Sequence, residues 1–337
     1  MPPLVSVVVP CFNSRPCLSL CLESLKGQTF SDFEVIVIDD GSDDGTAEII
    51  RQWTEHDHRF RLYSREHAGV VKAMNFGIQM AEGEYVARMD SDDVCRPDRL
   101  EKQSDFLLAN PGIGLVGSRV DFGGDRERAA GYAFYVDWIN SVVNEHELRV
   151  QRFVELLIPN PSIMFRKSLI QKHGGFLDGY FPEDYEFILR LMDASVRVSK
   201  LPEKLLLWND RPERLSRSDS RYSRDAFYRL KSLYLARWLK GKLGTNPKVG
   251  VLGAGRTVRR KLQPLLEQEV RVCSCFDLSE KRISRVSNPP VKPLSDLPPP
   301  GRLFILSYVG SRGARRKIHD FMRFKGYRRE RDYLFVS

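Results

Sequence analysis

Three places in this sequence set carboxylates close enough together to do chemistry. Glu84 to Asp98 reads EYVARMDSDDVCRPD, where the apolar run Tyr85-Val86-Ala87 gives way to Asp90, Ser91, Asp92 and Asp93 before Pro97 opens a helical pattern. Side chains two apart in a strand point to the same side, so Asp90 and Asp92 can aim at one point just past the strand end. Like charges so placed repel. A hard divalent cation would remove the repulsion and still leave coordination positions for phosphate oxygens; an acidic surface turn would read the same way. The second place is Asp39-Asp40, followed by Gly41-Ser42-Asp43-Asp44-Gly45-Thr46, whose glycines allow a tight turn. The third is Glu183-Asp184, in the first turn of an amphipathic pattern that continues to Leu191. Acid at that position also has a structural use, stabilising the helix dipole by roughly 0.3 to 1 kcal/mol.

These acids need elements to hold them. Val5 to Val9 is an unbroken β-branched run, the pattern of a strand buried on both faces in a parallel sheet. Pro10-Cys11-Phe12-Asn13-Ser14 ends it, and a helix follows with an apolar stripe at Leu18, Leu22 and Leu25 and a stop at Gly27. A second apolar strand, Phe33 to Ile38, delivers Asp39-Asp40, and a helix runs from Ala47 to Trp53. Leu62-Tyr63 is a short third strand before Arg65-Glu66-His67-Ala68-Gly69. In the next helix Val70, Val71, Met74 and Ile78 form the buried stripe and Lys72, Asn75 and Gln79 a polar one. The order is β-α-β-α-β-α-β, so the fold class is α/β, with polar loops at the carboxyl ends of successive strands converging on one crevice. Asp121 to Leu157 is less regular, with helices over Val136 to Asn144 and His146 to Leu157 that could wall an acceptor site; Pro159 to Phe165 reads as a strand.

Composition bounds the function class. At 337 residues the chain suits two or three domains, and 42% apolar with 29% charged residues is ordinary for a soluble globular protein. No run approaches the roughly 18 apolar residues of a membrane span, and MPPLVSVVVPCFN has no basic leader, so the expected location is cytoplasmic. Cys11, Cys17, Cys21, Cys95, Cys273 and Cys275 lack zinc spacing and read as reduced core residues. The net charge of +9 favours anionic partners such as nucleotides, while the dispersed basic residues show no nucleic-acid-binding motif.

Five motifs in order, Val5-Ser-Val-Val-Val-Pro-Cys-Phe-Asn13, Val35-Ile-Val-Ile-Asp-Asp-Gly-Ser-Asp-Asp-Gly-Thr46, Asn75-Phe-Gly-Ile78, Asp90-Ser-Asp92-Asp93 and Glu183-Asp184-Tyr185, resemble those of glycosyltransferase family 2. The resemblance covers residues 4 to 217. It implies a GT-A fold, a nucleoside-diphosphate-sugar donor, a divalent metal (Mn2+ or Mg2+) and inversion at the anomeric carbon, in assembly of a polysaccharide, glycolipid or other glycan. Carried over by position, Pro10 and Phe12 border the nucleoside, and Asp40 hydrogen-bonds the base with Asp39 beside it or supporting the turn. Gly69 lets backbone approach the nucleotide; Lys72 and Asn75 line the same side, or simply form a solvated helix face. Asp90 reaches ribose or a metal-bound water, Asp92 ligates the metal directly, and Asp93, facing away in a regular strand, supports the turn. Asp184 is the expected base for the acceptor hydroxyl, with Glu183 as orienter or, alternatively, as the base itself. Its position at a helix start is expected to favour the ionised form.

Beyond the motifs, Trp208-Asn209-Asp210-Arg211-Pro212-Glu213-Arg214-Leu215-Ser216-Arg217 stands where family members place a Trp/Tyr and basic segment near the donor diphosphate, but the histidine often found there is missing. The expected organisation is a catalytic domain at 1–220, a basic helical linker at 221–245 and a Rossmann-like α/β domain at 246–337. In the linker, Phe227, Leu230, Leu233 or Tyr234, and Trp238 recur at helical spacing among basic residues; the stripe can pack on a neighbour or lie on an anionic membrane at its inner face. The last domain opens on a strand, Val249 to Leu252, the turn Gly253-Ala254-Gly255-Arg256 and a helix, with Asp277 after a second strand at the ribose position. A further turn, Gly310-Ser311-Arg312-Gly313, follows a third strand. This domain could bind a nucleotide at Gly253, Gly255 and Asp277 or mediate a homodimer. A nucleotidyltransferase or a nicotinamide oxidoreductase are the alternative readings; the first lacks a glycine-rich phosphate loop after the first strand, and the second leaves Asp90, Asp92 and Asp184 without roles.

Overall fold

The β-branched run that opens the chain forms strand β1 (Val5–Cys11), and the second apolar run forms β2 (Phe33–Asp39), with Val5, Val7, Val8, Val35, Ile36 and Val37 wholly buried. The computed structural model describes residues 1–211, 214–283, 288–311 and 313–337. They fall into two compact units, Met1–Leu148 with Leu157–Asp219, and Arg149–Leu156 with Ser220–Ser337.

The first unit is built on an eight-stranded sheet. After β1 and β2 come β3 (Phe60–Ser64), β4 (Tyr85–Arg88), β5 (Val94–Cys95), β6 (Ile113–Gly123), β7 (Met164–Arg166) and β8 (Arg197–Asn209), in the spatial order β3-β2-β1-β4-β7-β6-β8-β5. β3, β2, β1 and β4 are mutually parallel, in the β-α-β alternation the sequence spells out. The chain first winds outward from β1 through β2 and β3, then returns to β1's other side with β4, which creates a switch point where loops can part around a ligand. The register aligns Cys11 with Asp39 and Val8 with Arg88, so three strand ends open on the same edge. Helix Val70–Met80 lies close on β1 because residue 77 is glycine: a Cβ there would come within 2.4 Å of Val8 Cγ1.

The other half of the sheet is not what the sequence pattern suggests. β6 and β8, of 11 and 13 residues, pair in parallel over most of their length, in stretches with no clean alternation. Residues 113–123, partly inside the region expected to be irregular, are therefore sheet. Pro159 to Phe165 is a 3-10 turn, Asn160–Ser162, that leads into β7, which runs antiparallel to both β4 and β6. The helices of the middle region are Ala130–Ser141 and Glu145–Gln151.

The second unit has a five-stranded, all-parallel sheet: β9 (Lys248–Leu252), β10 (Arg271–Asp277), β11 (Val291–Pro293), β12 (Phe304–Ser307) and β13 (Tyr333–Phe335), ordered β11-β10-β9-β12-β13. β11 forms within a proline-rich stretch, between Pro289-Pro290 and Pro298-Pro299-Pro300. Helix Arg224–Leu243 is part of this unit, with Leu230, Tyr234, Leu235 and Leu239 buried. Trp238 packs on Phe153 and Phe304 at ring-centroid distances of 6.3 and 5.6 Å. The apolar stripe that a membrane-surface reading requires is thus committed to the unit's interior, and Val150 and Phe153, expected to help wall an acceptor site, are buried there too. Even Lys231 is enclosed, its ammonium donating to the carbonyls of Val154 and Val336 at 2.9 and 3.1 Å. Asp277 turns inward: Oδ2 accepts the Ala254 N–H at 2.7 Å and Oδ1 that of Ser279 at 2.9 Å, so the carboxylate ties down the glycine turn instead of standing open for a ribose. Arg312, within the other glycine turn, lies outside the described residues. No described helix is long and apolar enough to cross a membrane.

Candidate active site

The loops that leave β1, β2 and β4 are braced to one another. Asn13 donates its N–H to Ser42 Oγ at 2.9 Å and accepts that of Asp43 at 3.1 Å, and Ser14 N–H reaches Thr46 Oγ1 at 2.8 Å. Ser14 Oγ and Ser91 Oγ share a hydrogen bond of 2.8 Å, which fastens the first loop to the acidic turn after β4. The three strand ends, two of them acid-bearing, are therefore walls of one crevice.

Asp39 and Asp40, 3% and 2% exposed, have different partners. Asp40 is 2% exposed, and its carboxylate accepts the N–H groups of Ala68 (3.1 Å) and Gly69 (2.8 Å), with His67 Nδ1 at 2.9 Å. The protein's own 67–69 loop thus takes part of its capacity. Asp39 offers Oδ1 to the Ser42 N–H at 3.1 Å, and no other hydrogen bond reaches its carboxylate among the described residues. Phe12, 48% exposed, stacks on His67 with centroids 4.0 Å apart, making a flat aromatic platform beside Asp40. Pro10 closes the strand end, paired with Ile38. Gly69 has φ of 91°, and a Cβ there would meet nothing within 4 Å, so the backbone angle rather than crowding is what calls for glycine. Lys72 is exposed and forms no ion pair among the described residues. Asn75 is turned to the fold instead: Nδ2 donates to the Phe176 carbonyl at 2.8 Å and Oδ1 accepts the Phe176 N–H at 2.9 Å, so the amide is held against the 176 backbone.

In the acidic turn the carboxylates have distinct surroundings. Asp90 Oδ1 accepts from Arg88 Nε at 3.0 Å. Asp93 is buried, with Oδ1 taking the Asn209 N–H at 2.8 Å and Oδ2 lacking any hydrogen-bond partner. Asp92 receives no hydrogen bond or ion pair on its carboxylate from any other described residue, only one from its own backbone N–H, and its carbonyl accepts from Asn209 Nδ2 at 2.7 Å. Desolvation, then the charge of Asp90, pushes Asp92 above the usual carboxylate range, and burial with Asp90 and Asp92 nearby pushes Asp93 well above it. A carboxylate in such a field with no partner from another residue suits a hard cation. Among the described residues no three or more His, Cys, Asp or Glu side chains gather to hold a metal, so the remaining ligands would have to come from phosphate oxygens and water.

Asp184 and Glu183 begin the helix Glu183–Asp193. Asp184 Oδ1 accepts the Tyr185 N–H at 2.7 Å, yet its pKa rises to about 7, chiefly through desolvation and then through Glu183, against the opposing pull of Arg88. Burial beside a second acid thus works against the ionised form expected at a helix start. Glu183 is buried and faces Arg88, Nη1 to Oε1 3.8 Å.

Sequence reasoning passed over Arg88, hidden in the apolar run of β4, and His67, an ordinary loop residue by composition. It left the three arginines after Trp208 undivided. Arg217 is bound to Asp210 at 2.6 and 2.7 Å, whereas Arg214 stacks on Trp208 and Tyr132, 4.6 and 5.0 Å from their ring centres. Arg214 also lowers the pKa values of Asp92 and Asp93, which places its charge in the acidic turn's field. Pro212 and Glu213 lie outside the described residues.

Residues 6–174 match the family model described as Glycosyl transferase family 2. The chain is 28% identical over 248 residues to the O-antigen biosynthesis glycosyltransferase WbnJ of Escherichia coli, covering 72% of this chain and 92% of that protein. It is 36% identical over 119 residues to glycosyltransferase GlyG of Streptococcus pneumoniae serotype 4, covering 33% of this chain and 40% of that one. Among solved structures, residues 1–349 of S. aureus TarS in complex with UDP-GlcNAc superimpose with a TM-score of 0.55 at 21% identity, over 80% of this chain and 71% of that one, a likeness of fold.

Proposed function

The chain belongs to glycosyltransferase family 2 and has its GT-A fold, and from that premise we propose that it transfers a sugar, with inversion, from a nucleoside-diphosphate-sugar to a hydroxyl acceptor during glycan assembly, using a divalent cation. The nucleotidyltransferase and oxidoreductase alternatives give way to the family. The observation that carries the metal-dependent reading is Asp92: desolvated, beside two more acids, and with no hydrogen bond or ion pair on its carboxylate from any other described residue. Solved TarS was bound to UDP-GlcNAc, and WbnJ is named for O-antigen biosynthesis, which supports a nucleotide-sugar donor and a polysaccharide context.

Asp92 would hold Mn2+ or Mg2+, with Asp90 at its flank toward the ribose. When bound, such a cation supplies charge stabilisation to the departing diphosphate. The chain's own residues do the rest. The Phe12–His67 platform bounds the base, the open oxygen of Asp39 accepts a base N–H, and Asp40 keeps the 67–69 loop in place. Lys72 stands on the exposed face of the neighbouring helix, and Arg214 adds positive charge near the phosphates. Asp184 accepts the proton of the attacking hydroxyl; a base poised near neutrality is well matched to that task. Glu183, facing Arg88, is the orienter.

Release of nucleoside diphosphate is the direct test, with a panel of UDP-, GDP- and TDP-sugars incubated with and without Mn2+ or Mg2+. Metal-dependent release from one donor is expected. Pyrophosphate release in its place, or release indifferent to metal, would overturn the reading.

A further inference from the structure

We propose that Arg88 is a positioning residue that fixes the donor-side carboxylate Asp90 and the base-side carboxylate Glu183 relative to each other, and so sets where Asp184 meets the donor. Its side chain is 5% exposed. Nε donates to Asp90 Oδ1 at 3.0 Å, Nη1 stands 3.8 Å from Glu183 Oε1, and the guanidinium lies 5.6 Å from the centre of the Phe176 ring. The backbone that carries it is itself fixed. Arg88 N–H donates to the Ile163 carbonyl at 3.1 Å, and its own carbonyl accepts from the buried Arg99 Nη2 at 2.8 Å. On the far side, Phe176 is clamped by Asn75 and stacks on Phe187 of the base helix, 4.4 Å between centroids.

One rigid, planar cation thus spans the two acidic motifs, which are about a hundred residues apart in sequence and approach the crevice from different elements. A guanidinium can serve two carboxylates at once through separate nitrogens, whereas an ammonium on a flexible stem is a single point charge. Simple neutralisation of buried acid would need only the charge. Positioning needs the fork. This inference rests on the proposed donor and base assignments for its catalytic meaning, but the structural link between Arg88 and the base helix can be read without turnover.

The test is Arg88→Lys, which keeps the charge and removes the fork, examined beside wild type and Glu183→Gln. Hydrogen exchange reports on the amides of Tyr185 to Phe187 at the start of the base helix. Positioning predicts that they exchange at least ~10-fold faster in Arg88→Lys while amides of the central strands are unchanged, since local opening is read separately from global unfolding. In nucleoside diphosphate release with the best donor of the panel, kcat falls ~10-fold or more while the donor KM stays within ~3-fold. The losses from Arg88→Lys and Glu183→Gln are non-additive in the double variant, as expected of groups acting through one contact. Unchanged exchange at 185–187 in folded Arg88→Lys overturns the proposal, as does full turnover in that variant. Absence of release by wild type from every donor would count against the transferase reading alone, because the exchange result still decides the role of Arg88.

Discussion

Replacing Asp184 by Asn removes the base but keeps an oxygen for the Tyr185 N–H, which the native carboxylate accepts at 2.7 Å, so the helix start is preserved. Positioned general bases contribute about 10²- to 10⁴-fold, which corresponds to about 3 to 5 kcal/mol of barrier. Turnover should fall by that factor, with nucleotide binding nearly intact. The pH dependence follows from a pKa of about 7, raised by desolvation and Glu183. For such a base about half the molecules are competent at pH 7 and roughly a tenth at pH 6, so kcat/KM should drop about fivefold across that unit and level off above pH 8. The stability effect has the opposite sign from a salt-bridged aspartate. A carboxyl whose pKa is higher in the folded state loses stability as pH rises from its unfolded value through about 7, because ionising it costs more when folded. Asp184→Asn is therefore expected to melt at a higher temperature than wild type at pH 8 and at nearly the same temperature near pH 4. The assay is nucleoside diphosphate release from the best donor between pH 5.5 and 9, with melting curves over pH 4 to 9. Equal turnover in mutant and wild type, or a pH-independent wild-type profile, would refute the assignment.

Three further outcomes follow from the nucleoside side and the clamp behind it. Asp40→Ala strands the N–H groups of Ala68 and Gly69, at a cost of about 2 to 4 kcal/mol; melting should fall by roughly 5 to 10 °C. Asp39→Ala leaves most of the fold's bonds in place and is expected to weaken nucleotide affinity about tenfold with a smaller loss of stability, measured by calorimetry; the reverse ranking would restore Asp40 as the base contact. Asn75→Ala, which breaks both bonds to Phe176, is expected to cost about 1 to 3 kcal/mol in a denaturant titration while nucleotide affinity stays within about twofold.

The donor half of the fold was legible because parallel strands covered on both faces read as continuous apolar runs, as β1 and β2 do, and because their ends are punctuated by acids and glycines. β6 and β8 escaped because interior glycines and charged residues, Gly114, Gly117 and Arg119 in β6 and Lys200 and Lys204 in β8, break any period of two; their pairing is a tertiary fact. The same limit governed the site. The chain's types marked Asp39, Asp40, Asp90, Asp92 and Asp184, but which oxygens remain open depends on how the 65–69 loop folds back onto β2. Asn75 looked like part of a polar helix face and is bound to backbone 101 residues away. Arg88 sat unremarked in an apolar strand, although a charged residue there needs partners when buried. The ionisation of Asp184 could not be read from its helix position, since burial and Glu183 act through space.

A cation held at Asp92 together with a nucleoside diphosphate is the centre of the proposed site. The most direct measurement of that site is the thermal shift of wild type and Asp92→Ala with UDP, GDP or TDP, each with and without Mn2+ or Mg2+. A stabilisation that requires both nucleotide and metal, and disappears in Asp92→Ala, is the predicted result. A shift of equal size without metal that survives Asp92→Ala would contradict it.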